Sequence, residues 1–374
     1  MNSAQLKKRI AFGVLFLLQT QLFALSYYSY DFRDANDTIN FSAKIDAQSD
    51  KLPFNIFDQE WEEVPAHKKS NNAFAQIYSD AYYNYGGFKF GVFGEKIAQI
   101  SINDGFVELL YNSQKDFFQL LASKEIYKTM AQKPIEGEGN YCDAYGVFVQ
   151  KVFTVQSAHY LSLKAKLNYA NDLHHIRANG YTDSEKFVGS FDYVYSKKNL
   201  ISKNPTLSES PQGLGYGVDI EYVYNRDKLY FYMGAFNVAS YVYWKNVTFM
   251  HYDLDSEVIY VGEDGYKHYK PFGVGYYEYG VSFKQKLPQY YRASLNYELF
   301  ENMAIGNNLK AYENVHSNEP YVNLKIYKGR YKLGYQLENK TLLFGAYYKY
   351  VNLEVSNKFG FAGNVLQAGV KISF

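Results

Sequence analysis

The feature that most constrains this chain is an alternation of apolar and polar side chains that recurs from one end to the other. A period of two indicates β-strands whose two faces meet different surroundings. The runs exceed the roughly five or six residues of soluble strands and reach the roughly nine to eleven that cross a bilayer. In 159–170, for example, one face carries Leu161, Leu163, Ala165, Leu167 and Tyr169, and the other carries Ser162, Lys164, Lys166 and Asn168.

Alternation alone does not say which face is buried. In a soluble sandwich the apolar face points inward, whereas in a membrane barrel it points to lipid and the polar face lines the interior. The aromatic content favours the barrel, because Phe, Trp and Tyr make up 19% of the chain, which has 41 tyrosines. Tyrosine suits a membrane–water interface, and the pairs Tyr82-Tyr83 and Tyr347-Tyr348 fall at strand ends.

The N-terminus has the pattern of a secretory signal peptide over residues 1–24. Lys7, Lys8 and Arg9 form a basic segment, an apolar run follows, and Ala24 ends a cleavage-site pattern. The apolar run is short for a membrane span. We therefore predict export followed by cleavage, with residues 25–374 as the mature barrel; the alternative is an uncleaved N-terminal anchor.

Composition excludes several classes of protein. The net charge is +1, which gives no electrostatic case for nucleic acid as a partner. No later window of about 18 residues is apolar throughout, so we do not expect a helical membrane protein. Cys142 is the only cysteine, so an internal disulfide is impossible.

These observations predict an all-β fold, a transmembrane antiparallel β-barrel of about 14 strands, with a range of roughly 12 to 16. One difficulty concerns sidedness. If the chain ends on the periplasmic side, the connection 302–318 is periplasmic, where turns are normally short, unless it contains another strand. The candidate strands are 38–47, 71–84, 87–98, 144–155, 158–170, 187–197, 213–225, 228–241, 271–285, 289–301, 319–328, 330–338, 341–351 and 363–374.

One segment, 103–134, breaks the period of two. Its apolar residues recur at roughly helical spacing, and Pro134 ends it. We predict one or two short helices inserted between strands, which act either as a plug or lid of the lumen or as an amphipathic helix on the rim. The candidate plug residues are Phe117, Phe118, Leu121, Ile126, Tyr127 and Met130.

The last strand carries the most specific motif. Gln367, Gly369, Ile372 and the terminal Phe374 resemble the C-terminal β-signal of bacterial outer-membrane barrels, in which a polar residue, a glycine and hydrophobic residues precede a terminal aromatic. The resemblance implies a location in the bacterial outer membrane, contact with outer-membrane lipid, and the barrel-assembly machinery as a partner. Leu366, Val370, Ile372 and Phe374 would then face lipid, and Gln367 and Lys371 the lumen.

Residues 211–246 resemble a hairpin of the long-chain fatty-acid transporter-like barrels and of the related TraF-like proteins. In both, a glycine-rich strand, an inward Asp, a tight polar turn and a later Asn follow one another. That resemblance implies a barrel of about 14 strands with an internal plug that carries hydrophobic molecules. The matching positions are Gly213, Gly215, Gly217, Asp219, Tyr224, Asp227 and Asn237.

No enzymatic constellation emerges from the sequence. An outer-membrane phospholipase would need a His-x-Ser-Asn-Gly run, and the nearest stretch, 174–180, lacks the serine. An omptin-like protease would need paired acids and an Asp-x-His on facing strands, and we expect the chain to contain no Asp-x-His. His174 and His175 are adjacent, which gives little support for a metal site. We therefore expect neither an enzyme nor a cofactor or metal.

Both signs of charge lie on the polar strand faces, which predicts either a charged wall around a water-filled lumen or ion pairs that fill a narrow interior. The function expected is that of a porin or facilitated transporter for an unknown small solute or hydrophobic ligand. The alternative is a structural or adhesin-type scaffold without transport. The candidate lumen-lining residues are Lys164, Lys166, Asp219, Glu221, Arg292, Glu298, Lys325, Lys332 and Lys371.

Overall fold

The computed structural model describes residues 38–49, 71–112, 133–182, 186–197, 211–255, 259–261, 266–269, 273–312, 315–326, 329–338, 340–348, 351–356 and 365–373. Almost all of them are in antiparallel strands. The strands are β1 Thr38–Ser49, β2 Asn71–Tyr85, β3 Phe88–Ile102, β4 Pro134–Gln156, β5 His159–Thr182, β6 Phe187–Tyr195, β7 Gln212–Arg226, β8 Leu229–Phe236, β9 Tyr241–Asp255, β10 Ile259–Val261, β11 Lys267–Tyr269, β12 Gly273–Lys286, β13 Tyr290–Phe300, β14 Met303–Tyr312, β15 Val315–Ile326, β16 Gly329–Gln336, β17 Thr341–Tyr348, β18 Val351–Ser356 and β19 Val365–Ser373.

Seventeen of these strands form one sheet that closes on itself. β1 pairs with β2 on one side and with β19 on the other, so no edge is left at the ends of the chain. Three positions around the ring are each occupied by two strands that lie end to end: β6 with β7, β8 with β9, and β12 with β13. Within the described residues the ring therefore has 14 positions, and the predicted transmembrane barrel is confirmed.

The two ends of the barrel differ in their connections. At one end, here called the short-turn end, consecutive strands are joined by two residues, as between β2 and β3, β7 and β8, or β13 and β14. Gly86 and Gly87 both have positive φ, which a two-residue turn with a right-handed strand twist requires. The other end, the long-loop end, carries most of the longer connections, and β4, β5, β6, β9 and β12 extend beyond the ring there.

Several strand predictions were wrong in detail, although the total was right. The strands β9, β14 and β18 and the short β10 and β11 were missed. β9 shares a ring position with the predicted strand β8, and two pairs of predicted strands, β6 with β7 and β12 with β13, each share one position. β14 fills most of 302–318, so the long periplasmic connection does not exist. Because β18 adds a further crossing, the connection after Ile326 lies at the short-turn end and the connection after Gln336 lies at the long-loop end. The two ring positions that were missed, those of β14 and β18, equal in number the two positions that were counted twice, so the predicted total of 14 was right.

The side chains of the ring alternate as a membrane barrel requires. On β5, Leu163 and Leu167 are 41% and 65% exposed on the outer face, whereas Lys164 and Lys166 are buried on the inner face. Exposed aromatics lie near the short turns, such as Tyr85 and Phe88, and again about one membrane thickness away. That second group is Tyr145, Tyr169, Tyr216, Tyr243 and Tyr291.

One short helix, α1, spans Asp104–Asn112 in the connection between β3 and β4. Asn103 caps it, since its side-chain oxygen accepts the backbone N–H of Phe106 at 2.9 Å. This agrees with the predicted helical insertion, but β4 begins at Pro134 and the candidate plug residues lie outside the described residues. Among the described residues, no helix is long and apolar enough to cross a membrane.

Candidate functional site

Side chains from opposite walls meet across the interior of the barrel. Asp46 on β1 is fully buried, and its Oδ2 accepts from Tyr312 Oη at 2.6 Å and from Lys310 Nζ at 3.1 Å, both on β14. Arg292 on β13 donates to the same oxygen at 3.4 Å. β12 and β13 occupy the eighth ring position counted from β1, so these contacts run across the full width of the lumen. We call Asp46, Arg292, Lys310 and Tyr312 the cross-lumen bridge.

A second set of polar contacts continues the bridge toward β3 and β5. Gln76 Nε2 donates to Glu95 Oε1 at 2.6 Å and to Tyr290 Oη at 2.9 Å. Lys166 Nζ lies 3.0 Å from Asp219 Oδ1 and 3.9 Å from Glu95 Oε2, with all three side chains buried. These contacts join positions spread around the ring into one hydrogen-bonded layer, which leaves no broad open channel at this level.

Toward the long-loop end the interior is apolar. Phe74 stacks on Tyr312 with ring centroids 3.9 Å apart, and Tyr290 stacks on Phe236 at 4.6 Å. Phe74, Tyr290 and Tyr312 belong to a buried cluster that we call the upper apolar layer, and the partly buried Phe236 packs against it. Phe236 and Tyr290 also line the cavity described below. The members of the layer include Phe74, Ile97, Cys142, Val194, Trp244, Val247, Leu287, Tyr290, Tyr312 and Val315.

The reactivity of Cys142, the only cysteine, measures whether this layer is closed to solvent. Cys142 is 1% exposed within the upper apolar layer. We expect the folded protein in detergent to react with a charged methanethiosulfonate reagent far more slowly than the urea-unfolded chain, because the reagent must enter a packed interior. Mass spectrometry of the quenched reaction measures this. Equal rates for the folded and unfolded protein would contradict a closed interior.

Below the bridge, toward the short-turn end, lies a cavity of about 140 Å³, here called the chamber. Its wall reaches from Gln76 and Arg292 at the bridge down to Lys89, close to the Gly86-Gly87 turn. Aromatic and charged side chains line it in mixture. The aromatic residues are Tyr78, Tyr82, Tyr232, Phe236 and Tyr290, and the charged ones are Lys44, Asp80, Lys89, Lys164, Asp219, Glu221 and Arg292.

A kink in the wall supports the chamber. The chain leaves regular pairing between β8 and β9, where Asn237 has a positive φ of 55°. The backbone N–H of Asn237 donates to Asp219 Oδ1 at 2.9 Å, and its side chain accepts from Lys166 and donates to Pro288 O at 3.2 Å. Asp219 and Asn237 are two of the positions that match the hairpin of the long-chain fatty-acid transporter-like barrels. Here their hydrogen bonds connect the break between β8 and β9 to the break between β12 and β13.

The candidate lumen-lining residues fall into three groups. Lys164, Lys166, Asp219 and Arg292 are buried in the bridge and chamber layers, and Glu221 lines the chamber. Lys332 is buried in an ion pair with Glu319. Exposed Glu298 and Lys325 line a second cavity, of about 260 Å³, near the short turns. Whether any of these residues lines a transport route stays a prediction.

Other predicted sites lie beyond what the structure describes. Phe374, the candidate plug residues and residues 1–24 are outside the described residues. In β19 the backbone alone is described, and Gln367, Gly369 and Lys371 pair with Asp46, Lys44 and Ser42 of β1.

The sequence-based interpretation missed the residues that carry the bridge. Asp46, Lys310 and Tyr312 were not singled out, although Asp46 lies on the polar face of a predicted strand. Its alternation with Ile45 and Ala47 could have placed it in the interior. Lys310 and Tyr312 were missed because β14 was taken as a connection.

A histidine outside the membrane-spanning part of the barrel is held by two carboxylates. His251 on β9 lies more than the roughly nine to eleven residues needed for a crossing beyond the short turn at Asp227. Its Nδ1 is 2.6 Å from Asp192 Oδ1 on β6, and its Nε2 is 3.3 Å from Asp253 Oδ1. The hydrogen bond to Asp192, with help from Asp253, raises the pKa of His251 above its usual value.

The raised pKa predicts a pH dependence at the long-loop end. A group whose pKa is raised by folding stabilises the fold below its unfolded pKa of about 6.5, and this contribution is lost as pH rises through the folded pKa. We expect hydrogen exchange of β6 and β9 to be slower at pH 5 than at pH 8 after correction for intrinsic exchange. The variant His251→Gln should lack this difference; an unchanged difference in the variant would contradict the assignment.

One Asp-x-His run does occur, at Asp172-Leu173-His174, so the expectation that the chain lacks one is wrong. His174 Nε2 lies 3.6 Å from Asp172 Oδ2, and His174 Nδ1 lies 2.7 Å from Tyr193 Oη. Leu173 and Ser196 complete this local network, since Ser196 Oγ donates to Asp172 at 2.9 Å. In the described residues no group of three or more His, Cys, Asp or Glu is arranged to hold a metal ion.

The chain is similar in fold to several solved barrels. A TodX deltaS2S3 mutant, described as a monoaromatic hydrocarbon channel, is 9% identical over 94% of each chain with a TM-score of 0.44. The P. putida toluene transporter TodX is 11% identical over 91% of this chain and 89% of its own, with a TM-score of 0.39. A Pseudomonas aeruginosa FadL homologue is 9% identical over 90% and 87%, with a TM-score of 0.36.

The matches include the type of barrel that residues 211–246 resemble. No protein-family model and no curated protein matches the chain.

Proposed function

We propose that the protein is a bacterial outer-membrane barrel that carries small organic molecules through a lumen that is closed at rest. The observation that supports this most is the chamber directly beneath the cross-lumen bridge. A structural barrel without transport would not need a cavity lined by aromatic and charged side chains in its interior. Ion pairs that reach across the lumen can separate without breaking any strand pairing, which makes them suited to a gate.

The location and partners follow from the same architecture. The apolar outer face with its aromatic bands fits outer-membrane lipid. The short-turn end is the periplasmic side by the usual rule for such barrels. We also propose that the protein is exported through a cleaved signal peptide and assembled through its C-terminal strand.

A structural or scaffold role is the second candidate, and the filled interior favours it. Buried pairs such as Lys166–Asp219 and Lys332–Glu319 fill the lumen as they would in a barrel without transport. Uptake by liposomes separates the two functions. Vesicles with the protein should take up small single-ring compounds faster than protein-free vesicles; equal uptake would contradict transport and leave the scaffold.

A further inference from the structure

A groove lies on the outside of the barrel wall, over β13 to β17, and we call it the outer groove. Its volume is about 640 Å³, which falls within the roughly 300 to 1,000 Å³ of small-molecule sites. Outward-facing residues such as Leu295, Leu333 and Leu342 form its wall, and these three are 39% to 52% exposed. The outer groove therefore offers an apolar surface with a definite shape.

The outer groove lies between the two aromatic bands of the barrel. Asn307 on β14 belongs to its wall. Two residues nearer the short turn, Ile305 pairs with Tyr297, and four residues farther on, Ala311 pairs with Tyr291. Both tyrosines are nearly half exposed on the outer face. Asn307 is therefore within the apolar band, where a ligand must come from the hydrocarbon of the membrane.

The wall of the outer groove carries one amide side chain. Asn307 alternates with the outward-facing Ile305 and Leu309, so it lies on the lipid-facing side of β14. Its Oδ1 is buried and has no hydrogen-bond partner among the described residues. A half-turn of the amide presents either its oxygen or its nitrogen to the groove, so the group can accept or donate. In hydrocarbon an amide without a partner is costly, which favours a ligand that supplies one.

A backbone carbonyl beside Asn307 also lacks its usual donor. The pairing of β15 with β16 stops at Tyr321, one residue before Pro320. Farther along, Leu337 N donates to Asn318 O at 3.0 Å, and in this register Pro320 is opposite Tyr335. Hydrogen-bonded pairs recur at every second residue, so the Tyr335 carbonyl would accept from residue 320, but proline has no N–H. The Tyr335 carbonyl therefore has no donor on β15.

The shape of the outer groove and its polar groups together select the occupant. Two copies inserted in the same direction are related by an axis along the membrane normal, so a symmetric contact would place groove against groove and leave both unfilled. A plain acyl chain would fill the groove but has no hydrogen-bonding group for Asn307. An acyl chain with a hydroxyl group meets both requirements, because a hydroxyl donates and accepts.

We propose that the outer groove binds a membrane lipid whose acyl chain carries a hydroxyl group within the chain. The chain packs against Leu295, Leu333 and Leu342, and the hydroxyl forms a hydrogen bond with the amide of Asn307. The Tyr335 carbonyl is a second acceptor in the same wall. Because Asn307 lies inside the apolar band, the hydroxyl is in the interior of the chain and not at its head. The site is outside the lumen, so it goes beyond the proposed transport.

Native mass spectrometry of the folded, delipidated protein in detergent tests the ligand class with a matched pair of lipids. One is a phosphatidylcholine with a stearoyl chain, and the other has the same chain with a mid-chain hydroxyl. We expect the hydroxylated lipid to bind at least about fivefold more tightly, which is the effect of one net hydrogen bond. Equal affinity for the two lipids, or binding of neither, would overturn the proposal.

Substitution of Asn307 provides the second arm. Asn307→Leu should bind the two lipids within about twofold of each other, because the wall stays apolar and the amide is gone. An apolar residue suits the lipid-facing surface, and the heat-modifiable gel shift verifies that the variant is folded. The matched control combines Asn307→Leu with Leu309→Asn, which returns the amide two residues away, outside the wall of the groove. An unchanged preference in Asn307→Leu, or a restored one in the control, would contradict the assignment.

A second copy of the chain is a distinct outcome of the same measurement. If the wild type has the mass of a dimer, Asn307→Leu has the mass of a monomer and neither lipid is retained, this face is an interface between copies and the lipid proposal is wrong. The lipid site and transport can fail separately, because the uptake of single-ring compounds by vesicles depends on the lumen and not on the outer groove.

Discussion

Replacing Asp46 with alanine is expected to lower the free energy of unfolding by about 3 to 5 kcal/mol, because the buried cations Arg292 and Lys310, and the partly buried Lys44, lose the carboxylate that they share. Urea titration followed by the heat-modifiable gel shift of the folded barrel measures the loss. Removing one of the cations as well, in Asp46→Ala with Lys310→Met, should restore part of it, because less uncompensated charge then remains.

A matched control lies on the outside of the same barrel. Asp143 pairs with Lys96 at 3.2 Å, but the Lys96 side chain is 37% exposed. Asp143→Ala should therefore cost no more than about 1 kcal/mol, as is usual for an exposed ion pair. Comparable losses for Asp46→Ala and Asp143→Ala would mean that the bridge has no special role in holding the barrel.

The second large effect is expected at Gly146 on β4. A Cβ atom there would overlap the carbonyl oxygen of Leu167 on β5 and come within 3.0 Å of the Phe93 ring. Because the obstacle is backbone, Gly146→Ala must push β4 and β5 apart. We expect a loss of more than about 3 kcal/mol in the free energy of unfolding, or failure to form the folded barrel.

Gly94 on β3 is the control for this substitution. Its Cβ would meet only the hydroxyl oxygen of Ser79, at 3.3 Å. Gly94→Ala should therefore change the free energy of unfolding by less than about 1 kcal/mol. If both alanine variants unfold at the same urea concentration, the close approach of β4 and β5 at Gly146 is not a real constraint.

Local alternation predicted the barrel and the orientation of its faces well. Leu163 and Lys164 point where the period of two places them, because one face meets lipid and the other the interior. The same pattern could not show that β12 and β13 share one ring position, since the break at Leu287 and Pro288 looks like an ordinary turn. Strand count depends on pairing partners, which are distant in sequence.

The closed interior could not be predicted from the sequence. Asp46 and Arg292 are far apart in the chain, and no local pattern indicates that they meet across the lumen. Alternation assigns each to an inner face but gives no lumen width. The shape of the ring decides whether inner charges line a channel or bridge it. The sequence was therefore compatible both with a charged wall around a water-filled lumen and with ion pairs that fill a narrow interior.

Conductance in planar bilayers tests the central claim, that the lumen is closed by the bridge and can be opened. The wild-type barrel should show no steady current beyond brief openings, whereas folded Asp46→Ala should show frequent or sustained channel openings, because the remaining cations repel one another. The control Asp143→Ala should behave like the wild type. A steady open channel in the wild type, or an Asp46→Ala barrel as silent as the wild type, would contradict the account.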